Sequence, residues 1–95
     1  MEEIKMVQFK EVPEKMVRFS VLLEDSVNVL REYLLPETIL EEKDLEMHQS
    51  GFLIRVNFSV EIRTQMVCYE ILTELKEKDY IVSFERLFPG EQYPD

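Results

Sequence analysis

The sequence predicts a single α+β domain in which two helices cover one face of an antiparallel sheet. Three observations lead to this prediction. The run from Phe52 to Ile62 alternates apolar and polar residues without interruption, which is the pattern of a half-buried strand. Two stretches, 25–35 and 64–79, have the spacing of helices that bury one side. From residue 15 onward the elements follow the order strand, helix, strand, strand, helix, strand.

Length and composition set the outer limits of the fold. The 95 residues suffice for one domain, and 45% of them are hydrophobic, as in globular chains. The longest apolar runs are only a few residues long, so we predict neither a membrane span nor a signal-peptide core. Cys68 is the one cysteine, which excludes an internal disulfide and favours a reducing, cytoplasmic location.

The first two strands flank a proline. Residues 4–11 and 15–23 are predicted as strands around a turn at 12–14, because Pro13 suits a turn and has no N–H to donate to a ladder. Residues 1–14 would thus form an N-terminal extension to a core at 15–88. The second strand has an inward row made of Val17, Phe19, Val21 and Leu23.

The first helix is predicted over residues 25–35. Asp25 or Ser26 can cap its free N–H groups, and Pro36 disfavours helical geometry in the residue before it. The helix should therefore end at residue 35. Its buried stripe consists of Val27, Leu30 and Leu34.

Residues 37–48 permit two interpretations. As a strand, they would turn Ile39, Leu45 and Met47 inward. As a helix beginning at Pro36, they would align Leu40 and Met47, and their Glu, Leu and Met residues favour helices. We predict a strand, because residues 49–51 (QSG) have the length of a hairpin loop and the strand that follows needs a partner.

The second half of the chain contains a strand, a helix and a last strand. The second helix is predicted over residues 64–79, where Thr64 can cap its free N–H groups, and the last strand over 80–88. Residues 89–95 form a loose tail after Pro89–Gly90. The predicted inward residues are Phe52, Ile54, Val56, Phe58, Val60 and Ile62 in the long strand, Val67, Cys68, Ile71, Leu72 and Leu75 in the helix, and Tyr80, Val82 and Phe84 in the last strand.

This element order is the βαββαβ plan of ferredoxin-like domains, a two-layer sandwich with both helices on one face of an antiparallel sheet. The strand at 4–11 would be an addition to that plan. The run from Val21 to Asp25, followed by a leucine-containing helix, also resembles the opening of ACT-type regulatory domains. The resemblance implies a regulatory role, although the turn lacks the glycine that those domains place there.

The sheet face away from the helices supplies the first candidate site. Arg18, Arg55 and Asn57 would lie on it and could hold a small anionic ligand. The alternative is that both arginines form cross-strand charge pairs. RNA readout is disfavoured, because the phenylalanines of the strands fall on the opposite, buried row and the net charge is −9.

The densest acidic stretch supplies the second candidate site. On a strand, Glu42, Asp44 and Glu46 would share a face, but their spacing matches no metal-binding loop. A solvated edge that prevents aggregation is one interpretation, and a surface for a basic protein partner is the other. The residues proposed to bind a partner are Glu37, Glu41, Glu42, Asp44 and Glu46.

Other chemistry finds little support in the sequence. His48 is predicted at the hairpin turn and Cys68 in the core, far from each other, and the two glycines allow no phosphate-binding loop. We therefore predict no catalytic residues, no metal, no cofactor and no enzymatic activity.

Three functional hypotheses follow from these observations. The first is a non-catalytic, self-associating interaction or regulatory module, which binds a protein partner or its own copy and makes no direct contact with nucleic acid or membrane. The second is an acidic inhibitor that occupies the basic nucleic-acid-binding surface of its partner, as some phage antagonists do. The third is a sensor of small anionic ligands.

Overall fold

The structure, a computed structural model, describes residues 15–24 and 28–89. Six regular elements follow one another along the described chain, with 3₁₀ turns at Leu35–Glu37, Glu42–Asp44 and Ile62–Thr64. The elements are β1 (Met16–Glu24), α1 (Asn28–Tyr33), β2 (Glu46–Ser50), β3 (Leu53–Glu61), α2 (Gln65–Glu77) and β4 (Ser83–Leu87).

The strands form one antiparallel sheet in the order β2-β3-β1-β4. The prediction of an α+β fold with two helices and a four-stranded antiparallel sheet is thereby confirmed. Several predictions lie outside the described residues. They are the strand at 4–11, the turn at 12–14, the caps Asp25 and Ser26, the buried Val27, and the tail from residue 90.

The centre of the sheet is the pair of long strands β1 and β3. They align over nine residues each, from Met16 opposite Glu61 to Glu24 opposite Leu53. Because directly opposite residues lie on the same face of a sheet, the apolar rows of the two strands combine into one apolar face. The alternation that predicted these strands therefore also fixes which residues share a face.

The hydrophobic core lies between this apolar face and the two helices. Phe19 of β1 stacks on Phe58 of β3 with ring centroids 5.5 Å apart. Leu30 of α1 and Leu72 of α2 are fully buried in the same cluster, so both helices cover the same side of the sheet. The remaining core residues are Val17, Val21, Leu23, Leu34, Leu40, Leu45, Val56, Val60, Cys68, Leu75 and Ile81.

The two ends of the predicted inward row in 52–62 are wrong. Phe52 is 90% exposed, because it forms a two-residue turn with Gly51 between β2 and β3. Gly51 has a φ of +65°, which glycine adopts without strain at the first position of such a turn. Ile62 is also exposed, since β3 ends at Glu61 and a 3₁₀ turn follows. The hairpin itself is present, one residue later than predicted.

The strand predicted within 37–48 is only partly correct. β2 spans Glu46–Ser50, whereas residues 42–44 form a 3₁₀ turn. Ile39 and Met47 are exposed rather than inward, and of the three predicted inward residues only Leu45 is buried. A physical reason is the capping of the 3₁₀ turn, in which the backbone N–H of Glu41 donates to the Asp44 carboxylate at 2.8 Å.

The last strand is shorter than the predicted 80–88, and the geometry at the end of α2 explains why. Asp79 has a φ of +63°, and the N–H of Tyr80 donates to the carbonyl of Leu75 at 2.9 Å, which is a Schellman motif. The chain leaves the helix in this geometry, so β4 begins at Ser83 rather than at residue 80. Tyr80 and Val82 are consequently exposed, and Ile81 between them is buried instead. Val67, placed in the buried stripe of the helix, is exposed as well.

Candidate functional site

The sheet face opposite the helices, here called the polar face, carries the first candidate site. The pairing of strands places Ser59 beside Arg18, Asn57 beside Ser20, and Arg55 beside Leu22. β2 adds Glu46 next to Asn57, and β4 adds Glu85 next to Ser20. The prediction that Arg18, Arg55 and Asn57 share this face agrees with the register.

The centre of the polar face is buried. Ser20 is 3% exposed and Asn57 is 8% exposed, although the residues on this face contribute nothing to the described apolar core. Nη1 of Arg55 donates a hydrogen bond to the Ser20 hydroxyl at 2.7 Å. The Asn57 side-chain oxygen is buried and accepts no hydrogen bond from the residues that the structure describes.

The two arginines on this face contact protein groups. Nη2 of Arg18 lies 3.4 Å from a carboxylate oxygen of Glu46, and Arg55 donates a hydrogen bond to Ser20. Arg18 stands on β1 and Arg55 on β3, with the Ser20–Asn57 pair between their positions along the strands. The structure thus brings the predicted ligand residues onto one face but gives each arginine an internal contact.

The acidic residues predicted to bind a partner do not form a row. Glu37 ends the first 3₁₀ turn, Glu42 and Asp44 belong to the second, and Glu46 begins β2. The guanidinium of Arg31 binds the Glu42 carboxylate through two hydrogen bonds, of 3.1 and 2.7 Å. These hydrogen bonds lower the pKa of Glu42 and raise that of Arg31. The fifth acidic residue is Glu41, and a carboxylate oxygen of Glu41 lies 3.4 Å from Nζ of Lys43.

A cleft, here called the β3 cleft, lies beside the first residue of β2, Glu46. Among the described strands β2 pairs with Leu53–Asn57, and β3 continues beyond this pairing to Glu61. The cleft has a volume of about 410 Å³, and residues 57–61 of β3 form one of its walls. Arg18, Glu46, Asp44 and the exposed Ile39 also border it. Sequence reasoning missed this cleft, because it exists only where a short strand stops beside a longer one.

A second groove lies between α2 and β4. It is lined by Tyr69, Phe84 and Phe88 and has a volume of about 750 Å³. The Arg86 guanidinium lies 3.8 Å from the centre of the Tyr69 ring and donates to Gln65 at 2.9 Å. Arg86 was not singled out from the sequence, although its position two residues after Phe84 places a charge in an apolar row.

The one histidine and the one cysteine of the chain lie on opposite sides of the sheet. Cys68 is buried in the core on α2, and burial raises the pKa of its thiol to about 11. His48 lies on β2 opposite Arg55, on the polar face. Within residues 15–24 and 28–89, no cluster of three or more His, Cys, Asp or Glu side chains is arranged to hold a metal ion.

Comparison with known proteins adds no functional information. The chain matches no protein-family model, no curated protein and no solved structure. Among the helices that the structure describes, none has the length and apolar character needed to cross a membrane. Function is therefore argued from the surface of this molecule.

Proposed function

We propose that this domain is a non-catalytic protein-interaction or regulatory module that associates with its own copy through the edge of β2. One observation carries the proposal. All five residues of β2 are exposed, and β2 is an edge strand of the sheet formed by the described residues. An edge strand offers its backbone N–H and C=O groups to another strand.

Apolar side chains around β2 support the same proposal. Ile39 is 76% exposed and Phe52 is 90% exposed, and they precede and follow β2 in the chain. Met47, in the middle of β2, is 44% exposed. A fully exposed phenylalanine in a hairpin turn adds nothing to the core, but it can supply apolar contact area in an interface.

The fold proposal that accompanies this function is the ferredoxin-like βαββαβ plan. It is supported by the element order and by the two long strands, β1 and β3, lying side by side at the centre of the sheet. A location in the cytoplasm, and the absence of direct contact with nucleic acid or membrane, belong to the same proposal.

Oligomeric state tests the function. Native mass spectrometry of the full chain over a concentration series should show a dimer. Met47→Lys should weaken the dimer at least tenfold, because a lysine on an edge strand opposes strand pairing. Val82→Lys is the matched control, since Val82 is 46% exposed and directly precedes β4, the strand at the opposite edge of the sheet from β2. It should leave the dimer unchanged.

Two results would contradict the proposal. The first is a chain that stays monomeric at all concentrations and captures no protein from its host. The second is a dimer that Val82→Lys weakens as much as Met47→Lys, which would move the interface away from β2.

The acidic-inhibitor and ligand-sensor hypotheses have weaker support. Glu42 and Asp44 belong to a 3₁₀ turn and Glu46 to β2, so these residues do not form the single acidic row that the inhibitor hypothesis requires. An anionic ligand at Arg18 would likewise compete with Glu46, and Arg55 already donates one hydrogen bond to Ser20.

A further inference from the structure

The β3 cleft follows the edge of a strand. Side chains alternate along β3, so that Phe58 and Val60 are buried under the helices while Ser59 and Glu61 lie on the polar face. All four residues nevertheless border the cleft. Consecutive residues from both faces meet along the edge, where the backbone N–H and C=O groups lie.

This edge has no strand partner within the described chain. β2 pairs with residues 53–57 only, and the pairing of β3 with β1 uses the opposite edge. Residues 58–61 therefore offer a length of about 13 Å, four residues at roughly 3.3 Å each. That is enough for a short strand to add to the sheet.

The Asn57 side chain supplies a second, independent observation. It is more than nine-tenths buried and lines the cleft, and no group in residues 15–24 and 28–89 donates a hydrogen bond to its side-chain oxygen. A buried acceptor without a donor costs free energy, so such groups are rare in folded proteins. The oxygen therefore indicates a ligand that carries an N–H donor.

Charge determines the kind of donor. Three carboxylates, of Asp44, Glu46 and Glu61, border the cleft, together with the guanidinium of Arg18. Arg18 pairs with Glu46 and the neighbouring Arg63 pairs with Glu61, so the carboxylate of Asp44 is the one that faces no cation in the described ion pairs. The chain as a whole carries a net charge of −9. This field attracts cationic groups and repels anions.

We propose that the β3 cleft binds an extended, basic segment of a partner protein. The segment adds as a strand along residues 58–61 and directs a lysine or arginine side chain toward Asn57 and the surrounding carboxylates. Ile39, exposed at the border of the cleft, contacts an apolar side chain of the same segment. The inference rests on the proposed function, and it adds the chemistry of the partner and a binding site distinct from the β2 edge.

A peptide library tests this proposal on the full chain. Acetylated and amidated hexapeptides, with threonine or valine at alternate positions and one scanned position, are added to ¹⁵N-labelled protein at low salt. Pools with lysine or arginine at the scanned position should shift the amide signals of residues 58–61. In the best peptide, replacing the basic residue by norleucine should weaken binding at least tenfold. Methylating alternate backbone nitrogens should abolish binding, because it removes the donors to the strand edge.

Variants of the protein locate the contact. Asn57→Leu should lower the affinity for the basic peptide about tenfold. The affinity for the norleucine peptide should stay within twofold of its value with the unchanged protein. Because a change at a buried position can disturb folding, Asp44→Asn provides a second variant at an exposed position, and it should weaken the basic peptide about threefold. Asp79→Asn is its matched control, since it removes one carboxylate away from the cleft at a left-handed position that asparagine tolerates.

Three results would overturn the proposal. They are the failure of every pool to shift residues 58–61 at millimolar peptide, equal binding of the lysine and norleucine peptides, and shifts confined to β4. If any of these occurs while the Met47-sensitive dimer persists, the inference fails and the proposed function stands. A chain without dimer or partner rejects the proposed function by a separate measurement.

Discussion

The two faces of this sheet differ in how they exclude water. On the helix-covered face, side chains such as Phe19 and Val21 are fully buried in the hydrophobic core. On the polar face, Ser20 and Asn57 are almost as buried, but the stabilising contact is the hydrogen bond from Arg55 to Ser20. The apolar face gains from area removed from water, whereas the polar face must satisfy each buried group individually.

This contrast teaches where the free energy of folding and the capacity for binding are located. Apolar packing has no preferred direction, so the core stabilises the fold without requiring particular partners. A buried polar group, in contrast, needs a hydrogen-bond partner, and the Asn57 oxygen finds none among the described residues. Four predictions test the contrast.

The largest effect is expected from Phe19→Ala. Phe19 is fully buried and stacks on Phe58, so its removal should lower the free energy of unfolding by about 3–5 kcal/mol. Urea denaturation followed by circular dichroism measures the change. Phe52→Ala, measured at protein concentrations where the chain is monomeric, is the matched control and should change stability by no more than about 0.5 kcal/mol, because Phe52 is exposed in the single chain. Similar losses in both variants would contradict the assignment of the core.

The second prediction concerns the reactivity of Cys68. A thiol pKa of about 11, rather than the ordinary 9.0, reduces the thiolate fraction at pH 8 about a hundredfold. Alkylation by iodoacetamide in native buffer should therefore be at least that much slower than in urea. The rate should rise with pH up to the raised pKa. Comparable rates in the two buffers would show that the helix-covered side is open to solvent.

The third prediction concerns the hydrogen bond at the centre of the polar face. Ser20→Ala removes the acceptor of Arg55 and should cost about 1 kcal/mol of stability. Ser83→Ala, on the same face but half-buried on the edge strand β4, should have an effect below about 0.5 kcal/mol. Chemical denaturation of both variants provides the test. A neutral Ser20→Ala would mean that the polar face does not depend on this contact.

The smallest effect concerns an exposed pair away from both faces. Arg31 lowers the pKa of Glu42 through hydrogen bonds and charge attraction. Because the folded-state pKa is below the unfolded one, the stabilisation is present above the ordinary carboxyl pKa and is lost as the pH falls through the lowered value. A carbon-detected NMR titration should show that Arg31→Gln returns the Glu42 pKa to its usual range. An unchanged pKa would exclude the contact.

Sequence reasoning succeeded where one strand is paired on both sides. The alternation in 15–23 and 52–62 predicted the rows that contain Phe19 and Phe58, because a strand between two neighbours keeps its register along its length. It failed at the ends of these rows, where Phe52 enters a turn and Ile62 leaves the strand. Element ends depend on turn geometry rather than on periodicity.

The sequence predicted which residues of the first candidate site share a face, but it did not predict how the acidic residues of the second are arranged. Arg18, Arg55 and Asn57 share a face because side-chain parity is local. The predicted row of Glu42, Asp44 and Glu46 did not form, since capping by Asp44 turned residues 42–44 into a 3₁₀ helix and Arg31 bound Glu42 from eleven residues away. No pattern in the sequence reports a contact over that separation.

The sequence by itself determined the α+β class, the order of the described elements and the sides to which β1 and β3 direct their residues. These properties follow from periodicity and from the conformational preferences of neighbouring residues. Only the tertiary structure decided that β2 stops after pairing with five residues of β3, that Asn57 is buried, and that the edge at 58–61 borders a cleft. The reason is that burial and edge exposure depend on which distant segments come to lie against a strand, and no local pattern contains that information.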